Sequence, residues 1–358
     1  VKSDLLNISD YGRAARTKLS ADVLGYYEGG ALDELTLREN TAGWERLKLY
    51  YKVLAGVGPR ELSTTVLGQS VSMPICVAPT AFHRLACGEG EVATAKAAKA
   101  AGTLFILSAL SNTAMEKVFA ESASPKWFQL YVYKDREITK ALVQRAEAAG
   151  AEAIVLTVDA PGLGTRERDI RNNFRLPEGL SVENLAPLGK GEMPNVEGSR
   201  LAAYVRDNFK SDLGFDDLDW LCGCTRLPVV VKGICRRDDA RGAADHGAKA
   251  VVVSNHGGRQ LDTAPATCEV LPHVVEAVGD RCEVYVDGGI RRGSDVLKAI
   301  ALGARAVLIG RPVLWGLTVN GEQGATQVLE ILRRELDEAM LLCGCTTLAD
   351  IGRWVLEP

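Results

Sequence analysis

Short runs of residues that bury well recur along this chain at intervals that few folds can use. They read ICVAPTA (75–81), TLFILSA (103–109), KWFQLYV (126–132) and AIVLTVD (153–159). After a long gap come PVVVKGI (228–234), VVVSNH (251–256), EVYVDGG (283–289) and AVLIGRP (306–312). Most are nearly continuous apolar runs rather than alternations, the pattern of parallel strands covered on both faces. Between them lie segments of helical periodicity, among them GEGEVATAKAAKAAG, KDREITKALVQRAEAAG, RRDDARGAADHG and RRGSDVLKAIALG. Each of these closes on a glycine suited to a left-handed cap. Strand starts recur every 22 to 33 residues or so, roughly one βα unit, except across the gap after the fourth run.

Eight such units predict an α/β protein built as a (β/α)8 TIM barrel, a fold of about 250 residues plus insertions. A doubly wound open sheet is the competitor, and it would carry a GxGxxG loop after its first strand. Here the first run leads into APTAFHR, and the nearest match, GLGTRE at 162–167, lacks the last glycine and follows the fourth run. Residues 1–358 are therefore read as one domain. Residues 1–74 form an N-terminal extension, helical at first and then a short hairpin plugging the barrel bottom. Residues 165–215 form a long excursion between the fourth strand and its helix. Its stretch LPEGLSVENLAPLGKGEMPNVEGSR is rich in Gly, Pro and charge and has no hydrophobic periodicity, so it is either lid-like or a plain surface insertion.

Composition narrows the function classes. A net charge of −4 with scattered lysines and arginines leaves no footprint for nucleic acid or an acidic membrane, while one or two local arginines suffice for a small acidic metabolite. No apolar run approaches the ~20 residues of a membrane span, and the N-terminus has no signal-peptide core. A cytoplasmic location is expected; the C-terminus VLEP shows no SKL-type address, which sets the peroxisomal matrix of a eukaryote second. The nine cysteines are odd in number and fit a reducing compartment. Two CGC pairs, Cys222 with Cys224 and Cys343 with Cys345, lack the CxxC spacing and partners of a zinc site, so they are read as buried thiols at helix ends and no metal is expected. The sequon Asn7-Ile8-Ser9 is weak without a secretory signal.

In barrels of this kind chemistry sits where strands end. The ends here offer Pro79, Thr80 and Ala81; Ser108; Gln129 and Tyr131; Thr157 and Asp159; Lys232; Ser254 and His256; Asp287 to Gly289; Gly310 and Arg311. Each alone could be a turn former, but eight strands all ending in hydrogen-bonding groups point to a site. VDGGIRRG and LIGRP place Arg291 and Arg311 in glycine-rich loops after the last two strands, the usual phosphate position of the fold. His256, one of four histidines, stands three residues before Arg259 with two glycines between. An imidazole is the natural base at neutral pH, and a guanidinium grips a carboxylate with two parallel hydrogen bonds. Base beside clamp suits removal of a proton next to a carboxylate, with Asp159 stabilising the imidazolium and Lys232 a site of accumulating negative charge.

These residues resemble the FMN-dependent 2-hydroxy acid oxidases and dehydrogenases, the family of glycolate oxidase, lactate oxidase and mandelate dehydrogenase. The similarity runs from about Tyr11 to Ile351, with SNHGGRQLD as the most specific motif and APTAF, FQLYVYKD, LTVDAPGLGTRERDIRN, VKGI, VDGGIRRG and IGRP in the family's order. The resemblance implies His256 as base, Asp159 as its partner, and Arg166 and Arg259 as carboxylate ligands assisted by Tyr26 and Tyr131. It implies that Lys232 stabilises the reduced flavin, and that Pro79, Thr80, Ala81, Ser108, Gln129, Thr157 and Ser254 line the ring and ribityl chain. Asp287, Gly289, Arg291, Gly310 and Arg311 would hold ribityl and phosphate. The implied reaction turns an (S)-2-hydroxy acid into the 2-oxo acid, by either a carbanion or a hydride route.

Leu110 stands where short-chain members of the family carry a bulky aromatic, and Gly162 where several relatives have a larger residue. The first of these implies a roomier or greasier pocket, suited to medium or long aliphatic or aryl side chains. Ala81 resembles the oxidases, which implies molecular oxygen as acceptor and hydrogen peroxide as product. The first alternative is a soluble dehydrogenase passing electrons to a quinone or dye-like acceptor. More distant are a non-redox FMN barrel of the second type of isopentenyl diphosphate isomerase, which has no use for the histidine–arginine pair, and an inactive metabolite-binding barrel. The family resemblance implies a homotetramer or octamer.

Overall fold

The computed structural model describes residues 5–122 and 125–357. Each of the eight apolar runs contains a barrel strand, and the polar groups lie in its last residues or just beyond it. After a two-stranded hairpin, β1 (Thr64–Val66) and β2 (Gln69–Val71), come β3 (Ile75–Val77), β4 (Phe105–Ser108), β5 (Lys126–Leu130) and β6 (Ile154–Thr157). They continue as β7 (Val229–Ile234), β8 (Ala250–Val253), β9 (Glu283–Val286) and β10 (Ala306–Ile309). All eight pair in parallel, each with its neighbours in sequence, and β10 closes on β3 through Val307–Ile75 and Leu308–Cys76. The chain is thus a (β/α)8 barrel.

Alternate residues of the strands divide between two cores, because successive side chains leave a strand on opposite faces. Cys76, Ile106, Val155, Val230, Val252 and Leu308 point into the barrel, where Trp127 and Tyr285 fill its centre. Ile75, Val77, Leu107, Phe128 and Val253 point outward against the helices. The hairpin seals the end where strands begin: Val66 and Val71 join the inner cluster. Gln69 Oε1 accepts from Trp127 Nε1 at 2.9 Å, and the Leu67 amide donates to Glu283 Oε2 at 3.0 Å. The expected bottom plug is observed.

The extension before it holds α1 (Ile8–Arg16), α2 (Ala21–Glu28) and α3 (Leu35–Arg46). The sequon residue Asn7 has a plain structural use, since its side chain caps α1 by accepting from the Asp10 amide. Barrel helices follow in order: α4 (Glu91–Ala100), α5 (Met115–Glu121), α6 (Arg136–Ala148), and later α10 (Arg237–Asp245), α11 (Thr267–Val278), α12 (Gly293–Ala301) and α13 (Arg311–Cys343). Helix α13 is broken at Asn320 and Gly321, whose backbone is not helical.

The excursion is more ordered than its composition suggests. It contains α7 (Glu167–Arg171) and α8 (Arg200–Asn208) before the barrel helix α9 (Phe215–Cys224). Helix α8 buries Leu201, Tyr204 and Val205 at helical spacing, just past the stretch 176–200 that carries no hydrophobic periodicity. A correction concerns the CGC pairs. Cys343 and Cys345 are buried near the end of α13, but Cys222 and Cys224 at the end of α9 are only half-buried. All nine cysteines are free, and among the described residues no cluster of His, Cys, Asp or Glu is placed to hold a metal. No helix among them is long and apolar enough to cross a membrane.

Candidate active site

Where the strands end, their loops surround a cavity that opens to solvent. Its walls bring together Tyr26, Pro79, Thr80, Ala81, Ser108, Leu110, Tyr131, Arg166, Lys232, His256, Arg259, Asp287, Gly289, Arg291, Gly310 and Arg311. Four other residues singled out in the sequence do not reach the wall and stand behind it. Ser108 Oγ donates to Gln129 Oε1 at 3.0 Å, and Gln129 Nε2 donates to Thr157 Oγ1 at 3.0 Å. Ser254 Oγ accepts from Lys232 Nζ at 2.9 Å and from the His256 amide at 3.1 Å. Asp159 stands behind His256. Gly162 is not among the lining residues; its carbonyl accepts from Gln260.

The loop after β8 is wound tightly enough to aim an imidazole. His256, Gly257 and Gly258 all have left-handed backbone, with φ of +57°, +64° and +75°. Such a conformation is costly for a residue with a Cβ, and it persists only where surroundings hold it. Gly258 has no alternative, because a Cβ there would lie 2.6 Å from the Leu37 amide nitrogen. Below the turn, Asn255 and Asn40 of α3 exchange two amide hydrogen bonds of 2.8 Å each. His256 Nδ1 lies 2.8 Å from Asp159 Oδ1. An ionised carboxylate only accepts, so Nδ1 carries the hydrogen and Nε2 keeps a lone pair. Burial lowers the imidazole below its ordinary 6.5, against the upward pull of Asp159. Burial opposes charge on Asp159 in turn, but His256 and Lys232 outweigh it and hold that carboxyl below its usual value.

Lys232 is buried, and its ammonium lies 2.9 Å from Asp287 Oδ2. Burial works against this charge too, and Asp287 and Asp159 more than restore it. The other carboxylate oxygen of Asp287, Oδ1, is buried with no partner. Four arginines complete the electrostatics. Their guanidiniums donate to main-chain carbonyls, Arg166 to Arg259, Arg259 to Tyr26 and Gly29, Arg291 to Ile290, and Arg311 to Tyr27, Gly29 and Gly257, and Arg259 also has the Tyr26 side chain as a hydrogen-bond partner. Burial, and then the neighbouring Arg259, pushes Arg166 down to about 10; burial alone accounts for most of the same fall to about 10 at Arg291. Arg291 lies 5.1 Å from the centroid of the Trp315 ring, and Arg259 5.0 Å from that of Tyr26. A set of enclosed cations held mainly by carbonyl dipoles is a site for anions.

Several participants gave no signal in the sequence. Gln260 donates to the carbonyls of Asp159 and Gly162 at 2.8 Å each, tying the loop after β8 to the loop after β6. Leu163, Leu201, Val205 and Phe209 line the cavity from the excursion and its exit, and Phe209 stacks on Tyr131 at 4.5 Å. A strand-end search passes over them because they lie between strands.

Residues 15–358 match the model of the FMN-dependent dehydrogenase family. This chain belongs to that family. It is 52% identical to an L-lactate oxidase of Nostoc sp., covering 98% of this chain and 97% of that one. It is 48% identical to 2-hydroxyacid oxidase 1 of Homo sapiens, over 99% and 96% of the two chains. The fold superposes on a crystal structure of mandelate oxidase with (S)-4-hydroxymandelic acid with a TM-score of 0.93, at 41% identity and 97% and 98% coverage. The cofactor of the family is FMN, and the residues present suit it. Asp287 offers a buried carboxylate oxygen without a partner to a ribityl hydroxyl, Arg291 offers free guanidinium donors to a phosphate, and Lys232 offers a fixed charge beside Asp287.

Proposed function

We propose that the chain oxidises an (S)-2-hydroxy acid to the 2-oxo acid in this cavity, with molecular oxygen reduced to hydrogen peroxide. The observation that carries this reading is the pairing of a neutral, Asp159-oriented His256 with the unpaired guanidiniums of Arg166 and Arg259. FMN, when bound, takes up the two electrons and delivers them to oxygen. Arg166 and Arg259 grip the substrate carboxylate. Burial raises both Tyr26 and Tyr131, which keeps their hydroxyls protonated as donors at neutral pH. His256 Nε2 accepts a proton from the substrate, and Asp159 stabilises the imidazolium so formed. Lys232, Asp287, Arg291, Arg311 and the backbone at Gly289 and Gly310 hold the cofactor, with Pro79, Thr80, Ala81 and Ser108 along its length and Gln129, Thr157 and Ser254 behind them.

Leu110, Leu163, Leu201 and Val205 supply an aliphatic wall that suits a medium-length or aryl side chain on the substrate. A panel from glycolate to mandelate, read as kcat/KM, tests this, and Leu110→Trp should shift preference toward the small acids. An unchanged mandelate-to-glycolate ratio would count against the wall. His256→Ala should bind FMN normally and fail to bleach it with substrate; rapid bleaching would overturn the role of His256. Reoxidation of the reduced enzyme by oxygen separates an oxidase from a dehydrogenase, since slow reoxidation would mark the latter. The chain acts as one domain in a homotetramer or octamer, a reading supported by the exposed Tyr51, Val53, Leu54 and Leu342, and light scattering checks it. The compartment that fits nine free thiols is the cytoplasm.

A further inference from the structure

His83 is buried and is not among the residues lining the cavity, yet both nitrogens of its ring are engaged. Nε2 lies 2.5 Å from Oγ1 of Thr80, which does line the cavity, and Nδ1 lies 2.7 Å from Oγ1 of Thr94 in α4. Phe82 brings the ring round. Its backbone is left-handed, with φ of +63°, a conformation costly for a residue with a Cβ. It turns the chain so that His83 reaches back three residues to Thr80. The turn is pinned on both sides of Phe82, whose amide donates to the Leu110 carbonyl at 3.2 Å and whose carbonyl accepts from Tyr27 Oη at 2.7 Å. Thr80 is held from its other side too: its methyl rests against Gly310, where an added Cβ would lie 3.3 Å from it.

Burial holds the ring below the ordinary 6.5 against the pull of the Glu91 carboxylate. At neutral pH it therefore carries one hydrogen, so that one nitrogen donates and the other accepts. The far end decides which. Thr94 Oγ1 donates its single hydrogen to the Gly90 carbonyl at 3.4 Å, which leaves it an acceptor for Nδ1–H. Nε2 then keeps the lone pair, and Thr80 donates to it. We infer that His83 is a positioning residue for Thr80, turning the hydroxyl hydrogen into the protein so that the cavity wall there offers FMN an acceptor. The inference rests on reading the cavity as an FMN site; the donors that an FMN brings are its ring N–H groups and its ribityl hydroxyls. In the opposite tautomer Nε2–H would donate to Thr80, whose own hydrogen would be turned toward the cavity and those donors.

Two measurements test this. Nitrogen NMR of holoenzyme labelled at histidine reads the tautomer directly, and the His83 signals are those, among four histidines, that vanish in His83→Gln. An Nδ1–H ring is expected at neutral pH; an Nε2–H or doubly protonated ring would overturn the inference. Titration of FMN into the protein freed of it, followed by flavin fluorescence, gives the dissociation constant, with thermal melts to check that each variant is folded. His83→Leu and Thr80→Val should each raise it by about tenfold, the worth of roughly one neutral hydrogen bond. The double variant should lose no more than Thr80→Val alone, because His83 acts through that hydroxyl. His83→Gln, an amide with a donor and an acceptor, should recover to within about threefold of wild type. Thr94→Val touches no cavity wall, but it removes the acceptor for Nδ1–H and favours the opposite tautomer. It should weaken FMN about as much as His83→Leu, and it carries the test should His83→Leu fold poorly. Either variant binding FMN as tightly as wild type, or fully multiplicative losses in the double variant, would overturn the inference. Wild-type protein that takes up no FMN would overturn the reading of the cavity as well, and is recognised because it needs no change at 83.

Discussion

His256 is held in a backbone conformation it would not choose, by an environment that also keeps it uncharged. The sign of its pH dependence follows. A base works only while unprotonated, so activity is lost as pH falls through the pKa of the imidazole. Burial sets that pKa below the ordinary 6.5, so kcat/KM should stay flat through neutrality and fall only on the acid side of 6.5. A fall beginning above 6.5 would show that Asp159 outweighs burial. Asp159→Asn removes the group that raises the imidazole, so the acid limb should move to still lower pH. It also removes the charge facing the imidazolium, so kcat should drop by about 100- to 1000-fold. Rapid-reaction measurement of flavin reduction across pH reads both effects. The pair was legible in the sequence because each member closes an apolar run. Gln260, two main-chain carbonyls away from the same pair, was not, since its partners carry no side-chain identity.

At the scale of elements, the strands were legible because parallel strands buried on both faces leave continuous apolar runs, and glycines such as Gly150 and Gly247 closed their helices with left-handed backbone. Helix α8 was not legible. It is short, only Leu201 and Val205 of its buried face reach the cavity, and a loop rich in Gly and Pro precedes it. Loop-to-loop fastening was equally silent. Glu91, at the start of α4, is fully buried and accepts from the His83 amide at 3.0 Å, the Asn112 amide at 3.0 Å and Thr113 Oγ1 at 2.9 Å. It joins the loop after β3, which lines the flavin region, to the loop after β4, which carries Leu110. The helix N-terminus favours its charge. Glu91→Ala leaves three buried donors unsatisfied and should cost about 3 kcal/mol. Urea unfolding should show a lower midpoint with an unchanged slope, and Glu91→Gln should recover much of the loss. An Ala variant as stable as wild type would remove Glu91 from this role.

For the molecule as a whole, the barrel gathers like charge at one end. Arg166, Arg259, Arg291 and Arg311 approach one cavity from the loops after β6, β8, β9 and β10, and Asp169, Asp295 and Glu28 are acidic groups that pull against them. Lys232 is already matched by Asp287. The folded chain without its ligands therefore carries positive charge that its own residues leave unneutralised, at a cost that a bound dianion and a carboxylate would offset. Removing FMN should destabilise the protein, and ligand linkage sets the scale: a ligand at a hundred times its dissociation constant adds about 2.7 kcal/mol. The charge argument adds a sharper expectation. Inorganic phosphate should raise the melting temperature of the FMN-free protein, oxalate should raise it further at a separate subsite, and chloride at equal ionic strength should do neither. Arg291→Met should abolish the phosphate effect and leave the oxalate effect, because it removes the phosphate donor without touching the carboxylate clamp. If chloride protected as well as phosphate, the arginines would be screened as a surface patch rather than neutralised as a site, and the electrostatic account of the cavity would fall.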